Sequence, residues 1–242
     1  MTDEAPLVVL IHGLAGSRHT WDRVVPLVDD HAEVVAVDLP STRSIEHEAD
    51  AVAALIDRPA VLVGHSRGGL VATAVAERHP AHAASIIALC TPYSIESRLG
   101  SNRLTERVLR IPVLGDVAWA LAGDGRRRAG LASAFAPGVP INHRFVTALE
   151  RAGRRGLIDA SAAIDLYLAK ATLAQRIQAL SVEVQLVFGD RDGRVVSPSS
   201  EALPHHLLTS VGHTPPWESP EDVAQLILAT ISAAAHPATE SC

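Results

Sequence analysis

The chain has 242 residues, of which 48% are hydrophobic and 20% are charged, so it can form a sizeable core, and disorder and collagen-like repeats are excluded. Its net charge of -6 disfavours binding to nucleic acids and to anionic membranes, and an aromatic content of 3% leaves few rings for stacking on nucleobases. The two cysteines, Cys90 and Cys242, provide neither a disulfide framework nor a metal-binding spacing.

Short apolar runs of strand length recur along the chain. They are continuous rather than alternating, which is typical of strands buried on both faces of a parallel sheet. The runs cover residues 7–11, 33–37, 60–63, 85–89, 182–188 and 207–211.

Amphipathic helical patterns separate these runs. One includes Ile45, Ala49 and Val52, and another follows the third run and stops before Pro80. The last helix is predicted to begin at Ser219 as N-cap, with Pro220 in its first position. Alternating strands and helices predict an α/β protein with a doubly wound, mainly parallel sheet of about six strands.

One long segment breaks the alternation. Residues 93–179 contain no clear strand but several helical patterns, including residues 142–152 and 157–180, with glycines between them. Because sheet strands flank this segment on both sides, we interpret it as a helical insertion carried by a core of residues 1–92 and 180–242.

The third strand leads into Gly64-His65-Ser66-Arg67-Gly68-Gly69 and then into a helix. This is a G-x-S-x-G pattern in the strand–turn–helix context that gives it meaning. Glycines on either side allow the strained turn, and the start of the helix supplies backbone N–H groups and positive dipole character. A glycine-rich turn with an incidental serine is the alternative interpretation.

Two further loops lie where a catalytic triad needs them. A serine hydroxyl requires a general base, and the base requires an acid that holds its tautomer. Asp190 and Asp192 follow the fifth strand, and His213 follows the sixth. The order Ser, Asp, His is the one found in α/β-hydrolases.

On these residues the chain resembles the α/β-hydrolase superfamily over nearly its whole length, and more closely its small cap-bearing esterases and lyase-type relatives of the menaquinone pathway. His12-Gly13 is similar to the family's HG motif after the first strand. Gly64 to Gly69 matches the nucleophile elbow, and Gly212-His213 matches the histidine loop. The insertion lies where the family carries its helical cap.

The resemblance implies roles for individual residues. Ser66 is the expected nucleophile, His213 the base and Asp192 the acid, with Asp190 as the competing acid. The backbone N–H groups of Leu14 and Arg67 are the expected oxyanion hole.

The chain departs from the family pattern at two places. Residues 38–43 replace a loop that is often rich in glycine, and only six residues precede the first strand, so we expect no N-terminal hairpin and a reduced sheet. The Arg67 side chain either meets an anionic substrate group or points away and is neutralised by an acid. Likewise, Arg126–Arg128, Arg154 and Arg155 form either a solvated face or a gate for an anionic substrate such as a coenzyme A thioester.

The scarce rings are candidates for the pocket wall: Trp21, Trp217 and Tyr167 are expected to contact substrate, with ordinary packing as the alternative. No metal is expected, because the adjacent His205 and His206 do not place two ligands on one face. No nucleotide-binding glycine loop follows a strand, so no cofactor is expected.

The resulting hypothesis is a serine esterase that acts on a small or medium acyl ester through an acyl-enzyme. The same triad also serves lyases, carbon–carbon hydrolases, lactonases and thioesterases, and a non-catalytic ligand-binding protein is a third possibility. The expected partner is a small-molecule acyl substrate, without nucleic acid or membrane. With neither a basic leader nor a membrane-length apolar run in the sequence, we expect a cytoplasmic protein.

Overall fold

A computed structural model describes residues 5–40, 42–99, 107–199 and 203–235 of the chain. Its centre is a six-stranded, wholly parallel sheet with the strand order β2-β1-β3-β4-β5-β6. The strands are β1 (Leu7–Ile11), β2 (Glu33–Val37), β3 (Ala60–His65), β4 (Ala83–Leu89), β5 (Glu183–Gly189) and β6 (His206–Leu208). The predicted fold class is thereby confirmed.

Helices cover both faces of the sheet and fill the segment between β4 and β5. They are α1 (Ile45–Ala53), α2 (Arg67–Arg78), α3 (Leu114–Ala120), α4 (Asp124–Leu131), α5 (His143–Lys170), α6 (Leu173–Gln178), α7 (Pro215–Glu218) and α8 (Pro220–Ala235). Within the described ranges, no helix combines the length and apolar content that a membrane span requires.

The core lies on both faces of the sheet, and β1 shows how. Leu7, Val9 and Ile11 belong to a cluster with residues of α1 and α2, whereas Val8 and Leu10 pack on the other face with residues of α8. Because successive side chains of a strand point to opposite faces, a strand covered on both faces must be apolar throughout. That is the origin of the continuous apolar runs.

The insertion is helical, as its sequence indicates, and the break predicted after residue 152 is present. Helix α5 spans 28 residues as two helical parts that meet at a kink at Gly153, whose φ of 66° and ψ of 177° are not helical, but the second part ends well before residue 180. It ends at Lys170, and Thr172 caps α6 by a capping box with Gln175. Ile164, Tyr167 and Leu173 belong to the core cluster on the α1–α2 face. The C-terminal half of α5 therefore packs on the core.

Candidate active site

Ser66 occupies the turn between β3 and α2, at the carboxyl end of the sheet. Its backbone angles, φ of 54° and ψ of -117°, lie in a region that residues other than glycine rarely adopt. A Cβ on Gly64 would lie 2.4 Å from the backbone of Gly68, and one on Gly68 would lie 2.2 Å from the carbonyl oxygen of Ile11. These two glycines let the strand, the helix and the end of β1 approach closely enough to form the turn.

Ser66, His213 and Asp192 form a continuous chain of hydrogen bonds. The Ser66 hydroxyl lies 2.9 Å from His213 Nε2, and His213 Nδ1 lies 2.8 Å from Asp192 Oδ2. Because a carboxylate only accepts, Nδ1 carries the proton and donates it, which leaves Nε2 as the acceptor for the serine hydroxyl. The side chains of His213 and Asp192 are 5% and 1% exposed, so water is excluded from the bond between them.

Asp192 is held in its charged form. Burial acts against the charge, but His213 and the backbone N–H groups of Arg194 and Val195, at 2.7 and 3.0 Å, outweigh it and lower the pKa of the carboxyl group. Asp190, the competing acid, instead forms a long ion pair with Arg191 at 4.0 Å. The structure therefore brings Asp192, and not Asp190, to the histidine.

The two backbone groups expected in the oxyanion hole flank the serine. Leu14 lines the cleft above Ser66, and Arg67 is the first residue of α2. Within the described ranges, neither backbone N–H donates a hydrogen bond to another protein group. In this part of the chain, neither group is therefore occupied by a protein acceptor.

His12 stabilises the loop that carries Leu14. Its Nδ1 donates to the carbonyl oxygen of Gly13 at 2.8 Å, and its Nε2 accepts from the backbone N–H of Leu39 at 2.9 Å. Burial lowers its pKa to about 4, so it is neutral at pH 7.

His65 lies beside the base. Its Nε2 donates to the backbone oxygen of His213 at 2.7 Å, and burial, followed by the proximity of His213, lowers its pKa to about 3. Its ring therefore supports the backbone of His213, and it is His213 rather than His65 that contacts the Ser66 hydroxyl.

The cleft over Ser66 is mainly apolar, with a few polar groups in its lining. The apolar part comes from the loop after β1 and from the insertion, and the polar groups include Thr20, Arg194 and Thr214. The apolar lining residues are Leu14, Ala15, Leu131, Ala134, Phe135 and Phe145.

None of the three rings expected to contact substrate is among the residues that line the cleft over Ser66. Trp21 and Tyr167 lie in the core, which corrects the prediction for these two. Trp21 is fully buried against the sheet with Val8 and Leu10, because the chain turns back over the sheet after the loop. Tyr167 is buried on the other core face, where its hydroxyl donates to Glu77 at 2.8 Å.

Trp217 lies behind the cleft wall. It contacts Phe145 edge to face, with 5.1 Å between the ring centroids, and Phe145 in turn lines the cleft. Trp217 thus supports the pocket through Phe145 and is not itself one of the lining residues.

The Arg67 side chain points away from the cleft and forms a buried ion pair with Glu48. In the insertion, Arg127 pairs with Glu150 at 3.0 Å and Arg154 with Asp116 at 2.6 Å. The side chains of Arg127 and Arg154 are only 18% and 14% exposed, whereas Arg126, Arg128 and Arg155 are exposed, as the solvated-face interpretation expects. A gate for anionic substrates stays a prediction.

One group of potential metal ligands occurs in the described part of the chain: donor atoms of Cys90, Asp192 and His213 lie within 4.8 Å of one another. Asp192 and His213 are already hydrogen-bonded to each other, and burial raises the pKa of the Cys90 thiol, which keeps it protonated. This set is a poor ligand for a cation.

Two acidic residues near the site were not predicted. Glu48 neutralises Arg67, and Glu218 accepts hydrogen bonds from the residues on either side of His213. For Glu48, the unusual arginine after the serine is a signal that an acid must lie nearby. For Glu218, the sequence offers only its position, five residues after the histidine.

Comparison with known proteins supports the resemblance to α/β-hydrolases that the sequence motifs indicate. Residues 8–226 match the model of the alpha/beta hydrolase family. The chain is 33% identical over 222 residues to the pimeloyl-[acyl-carrier protein] methyl ester esterase of Neisseria meningitidis serogroup C, which covers 86% of this chain and 83% of that protein.

Solved structures share the fold. A thermophilic esterase from Thermogutta terrifontis superposes with a TM-score of 0.69 at 23% identity, covering 96% of this chain and 91% of its own. A haloalkane dehalogenase from Bradyrhizobium elkani gives a TM-score of 0.75 at 20% identity, with coverages of 97% and 92%. With a family model that matches most of its length, this chain is an enzyme of the alpha/beta hydrolase family.

Proposed function

We propose that the chain hydrolyses carboxylic esters, with Ser66 as nucleophile, His213 as general base and Asp192 as the acid that orients it. The observation that carries this proposal is the hydrogen-bond chain from Ser66 Oγ through His213 to Asp192, at 2.9 and 2.8 Å. The 33% identical relative is named an esterase, which supports ester hydrolysis among the chemistries that this fold performs.

In the acylation step, Ser66 Oγ attacks the ester carbonyl carbon while His213 Nε2 takes the hydroxyl proton. The carbonyl oxygen becomes an oxyanion, to which the N–H groups of Leu14 and Arg67 donate. The tetrahedral intermediate expels the alcohol, which receives the proton from His213, and the acyl group stays on Ser66.

Deacylation repeats these steps with water. His213 removes a proton from water as the water oxygen attacks the acyl carbon, and the bond to Ser66 breaks as the serine oxygen takes that proton back. Asp192 stays ionised throughout and stabilises the imidazolium, which its lowered pKa supports.

The proposed substrate has an apolar acyl chain and a small alcohol. Leu131, Phe135 and Phe145 of the insertion provide an apolar wall for the acyl chain, and we propose residues 93–179 as the cap that carries it. The relative's name specifies a methyl ester, so methyl esters of medium-chain acids are the first substrates to test, both free and linked to acyl-carrier protein.

The test is hydrolysis of p-nitrophenyl and methyl esters of increasing acyl length by the wild type, Ser66→Ala and the matched control Ser181→Ala, whose serine is exposed. We expect Ser66→Ala to lower kcat/KM by about 10⁴-fold or more and the control to retain full activity. Equal activity of wild type and Ser66→Ala would refute the proposed mechanism.

Intact mass spectrometry after rapid mixing with a slowly deacylated ester tests the intermediate. We expect the wild type to gain the mass of the acyl group less one hydrogen, and Ser66→Ala to gain nothing. Turnover without any such adduct, even under acid quench, argues against acyl transfer through Ser66.

A further inference from the structure

Glu218 is the last residue of α7, the short helix that begins two residues after His213. Its carboxylate accepts three backbone hydrogen bonds. Oε2 accepts from Ala136 at 2.7 Å and from Gly212 at 3.0 Å, while Oε1 accepts from Thr214 at 3.0 Å. Hydrogen bonds to an ionised acceptor are stronger than those between neutral groups, so this carboxylate is a firm anchor.

The three donors belong to two different parts of the molecule. Gly212 and Thr214 lie immediately before and after His213, whereas Ala136 follows the two cleft-lining residues Ala134 and Phe135 of the insertion. A single side chain thus holds both ends of the histidine's backbone against the wall of the cleft.

Two further contacts join the same parts. Thr214 Oγ1 donates to the carbonyl oxygen of Ala134 at 2.6 Å. A Cβ on Gly212 would lie 2.3 Å from the backbone nitrogen of Ala136, so the two backbones touch. The histidine loop and the segment 134–136 are therefore in contact, with Glu218 between their N–H groups.

Helix α7 also carries Trp217, which packs edge to face on Phe145, and Phe145 packs on Phe135 with 5.0 Å between the ring centroids. The polar contacts of Glu218 and the aromatic contact of Trp217, both from α7, thus reach the same wall of the cleft. Movement of that wall would be transmitted to the backbone of His213.

We propose that Glu218 is a positioning residue: it fixes His213 Nε2 at hydrogen-bonding distance from Ser66 by tying the histidine loop to the cleft wall of the insertion. The inference rests on the proposed function, in which His213 is the base. Misplacing a reacting group by about 1 Å costs on the order of 100-fold in rate, so loss of this anchor should be visible in kcat.

The experiment compares Glu218→Ala and Glu218→Gln with the matched control Glu221→Ala, an exposed acid three residues further along. Titration with a fluorophosphonate gives the concentration of active sites, and kcat and KM are expressed per active site. We expect Glu218→Ala to lower kcat by about 100-fold with a smaller change in KM. Glu218→Gln keeps one acceptor oxygen and should recover about tenfold of that loss.

The rate of fluorophosphonate labelling provides a second readout that does not depend on finding the best ester. We expect it to fall in parallel with kcat in both Glu218 variants and to stay at the wild-type value in Glu221→Ala. If Glu218→Ala does not fold, Glu218→Gln and Thr214→Val, which removes the bond to Ala134, decide the question by the same two rates.

A kcat per active site that stays within twofold of the Glu221→Ala value, with only the number of active sites reduced, would overturn the inference, because Glu218 would then act only on stability. A wild type that neither hydrolyses esters nor labels at Ser66 would overturn the proposed function as well. If the wild type is active and Ser66→Ala is inactive, the proposed function stands, and an unchanged kcat in Glu218→Ala then refutes only the inference about Glu218.

Discussion

Arg67 and Glu48 form an ion pair inside the protein, with 2% and 0% of their side chains exposed. Arg67 directly follows Ser66, and Glu48 lies in α1. Glu48 Oε1 also accepts from the backbone N–H and the hydroxyl of Thr42, both at 3.0 Å. The pair thus joins the turn that holds Ser66 to α1 and to the loop before it, and it keeps the charge of Arg67 away from the cleft.

Removing one partner of this pair should be strongly destabilising. In Glu48→Ala the guanidinium of Arg67 stays buried without a counter-ion, which typically costs about 3–5 kcal/mol. We expect this loss in the free energy of unfolding, measured by urea denaturation.

The double variant Glu48→Leu/Arg67→Met separates charge from packing. Apolar residues of similar volume often replace a buried ion pair without loss of stability. We therefore expect the double variant to recover most of the free energy of unfolding that Glu48→Ala loses. Asp57→Ala removes an exposed acid that pairs with Arg58 and should change stability by less than about 1 kcal/mol. A Glu48→Ala variant as stable as Asp57→Ala would contradict this account.

Much of the fold could be predicted from the sequence, because the strands are buried on both faces. β1 and β2 were predicted to the residue, since apolar runs and strand pairing end together there. The prediction for β6 differs from the structure, because its apolar run extends to residue 211 whereas the strand ends at Leu208. After that point the chain turns to carry His213, and Val211 is buried outside the sheet.

The parts of the site that the sequence did not predict depend on tertiary proximity. Glu218 is a single acid with no periodic pattern, and its partner Ala136 lies 82 residues earlier in the chain. Trp21 lies close to the HG loop in sequence, yet the chain folds it under the sheet. Spacing identifies residues that share a loop, but it does not determine which side of the sheet a ring covers.

Asp192 and Asp190 should differ sharply in effect. In Asp192→Asn, the amide can donate to His213 Nδ1, which places the ring proton on Nε2 and removes the acceptor for the Ser66 hydroxyl. We expect kcat to fall by about 10⁴-fold. Asp190→Asn is the matched control and should keep kcat within about twofold, since its carboxylate does not contact the histidine. The reverse ranking in steady-state kinetics would make Asp190 the acid.

Gly68→Ala should damage both the fold and the activity. The new Cβ would lie 2.2 Å from the carbonyl oxygen of Ile11 and 2.8 Å from that of His12, and backbone atoms cannot rotate away. The end of β1 must then move from the serine turn, which we expect to cost about 1–3 kcal/mol of stability and on the order of 100-fold in kcat.

The matched control for this substitution is Gly125→Ala in α4, where a Cβ meets nothing within 4 Å. There alanine should be neutral or should add up to about 1 kcal/mol of stability, because it favours the helix. Thermal unfolding and ester hydrolysis of both variants check the pair. Equal melting temperatures would mean that the close approach to β1 is not required.

The stability of the protein should fall as the pH is lowered from about 6.5 towards 4. Burial lowers the pKa of His12 to about 4 and that of His65 to about 3, from an ordinary 6.5. Between these pH values, each of the two histidines is protonated in the unfolded chain but neutral in the folded protein. Lowering the pH therefore favours unfolding. Each histidine contributes a slope of up to about 1.4 kcal/mol per pH unit. The lowered pKa of Asp192 acts in the same direction at the acidic end.

Urea denaturation at several values between pH 7.5 and pH 4.5 measures this slope. In His65→Gln the amide can still donate to the backbone oxygen of His213, but it cannot titrate, so the slope should decrease by about 1.4 kcal/mol per pH unit. His31→Gln, at an exposed histidine, is the matched control and should show the wild-type slope. If His65→Gln and the wild type lose stability in parallel, then His65 binds a proton as readily in the folded protein as in the unfolded chain, and its pKa is not lowered by burial.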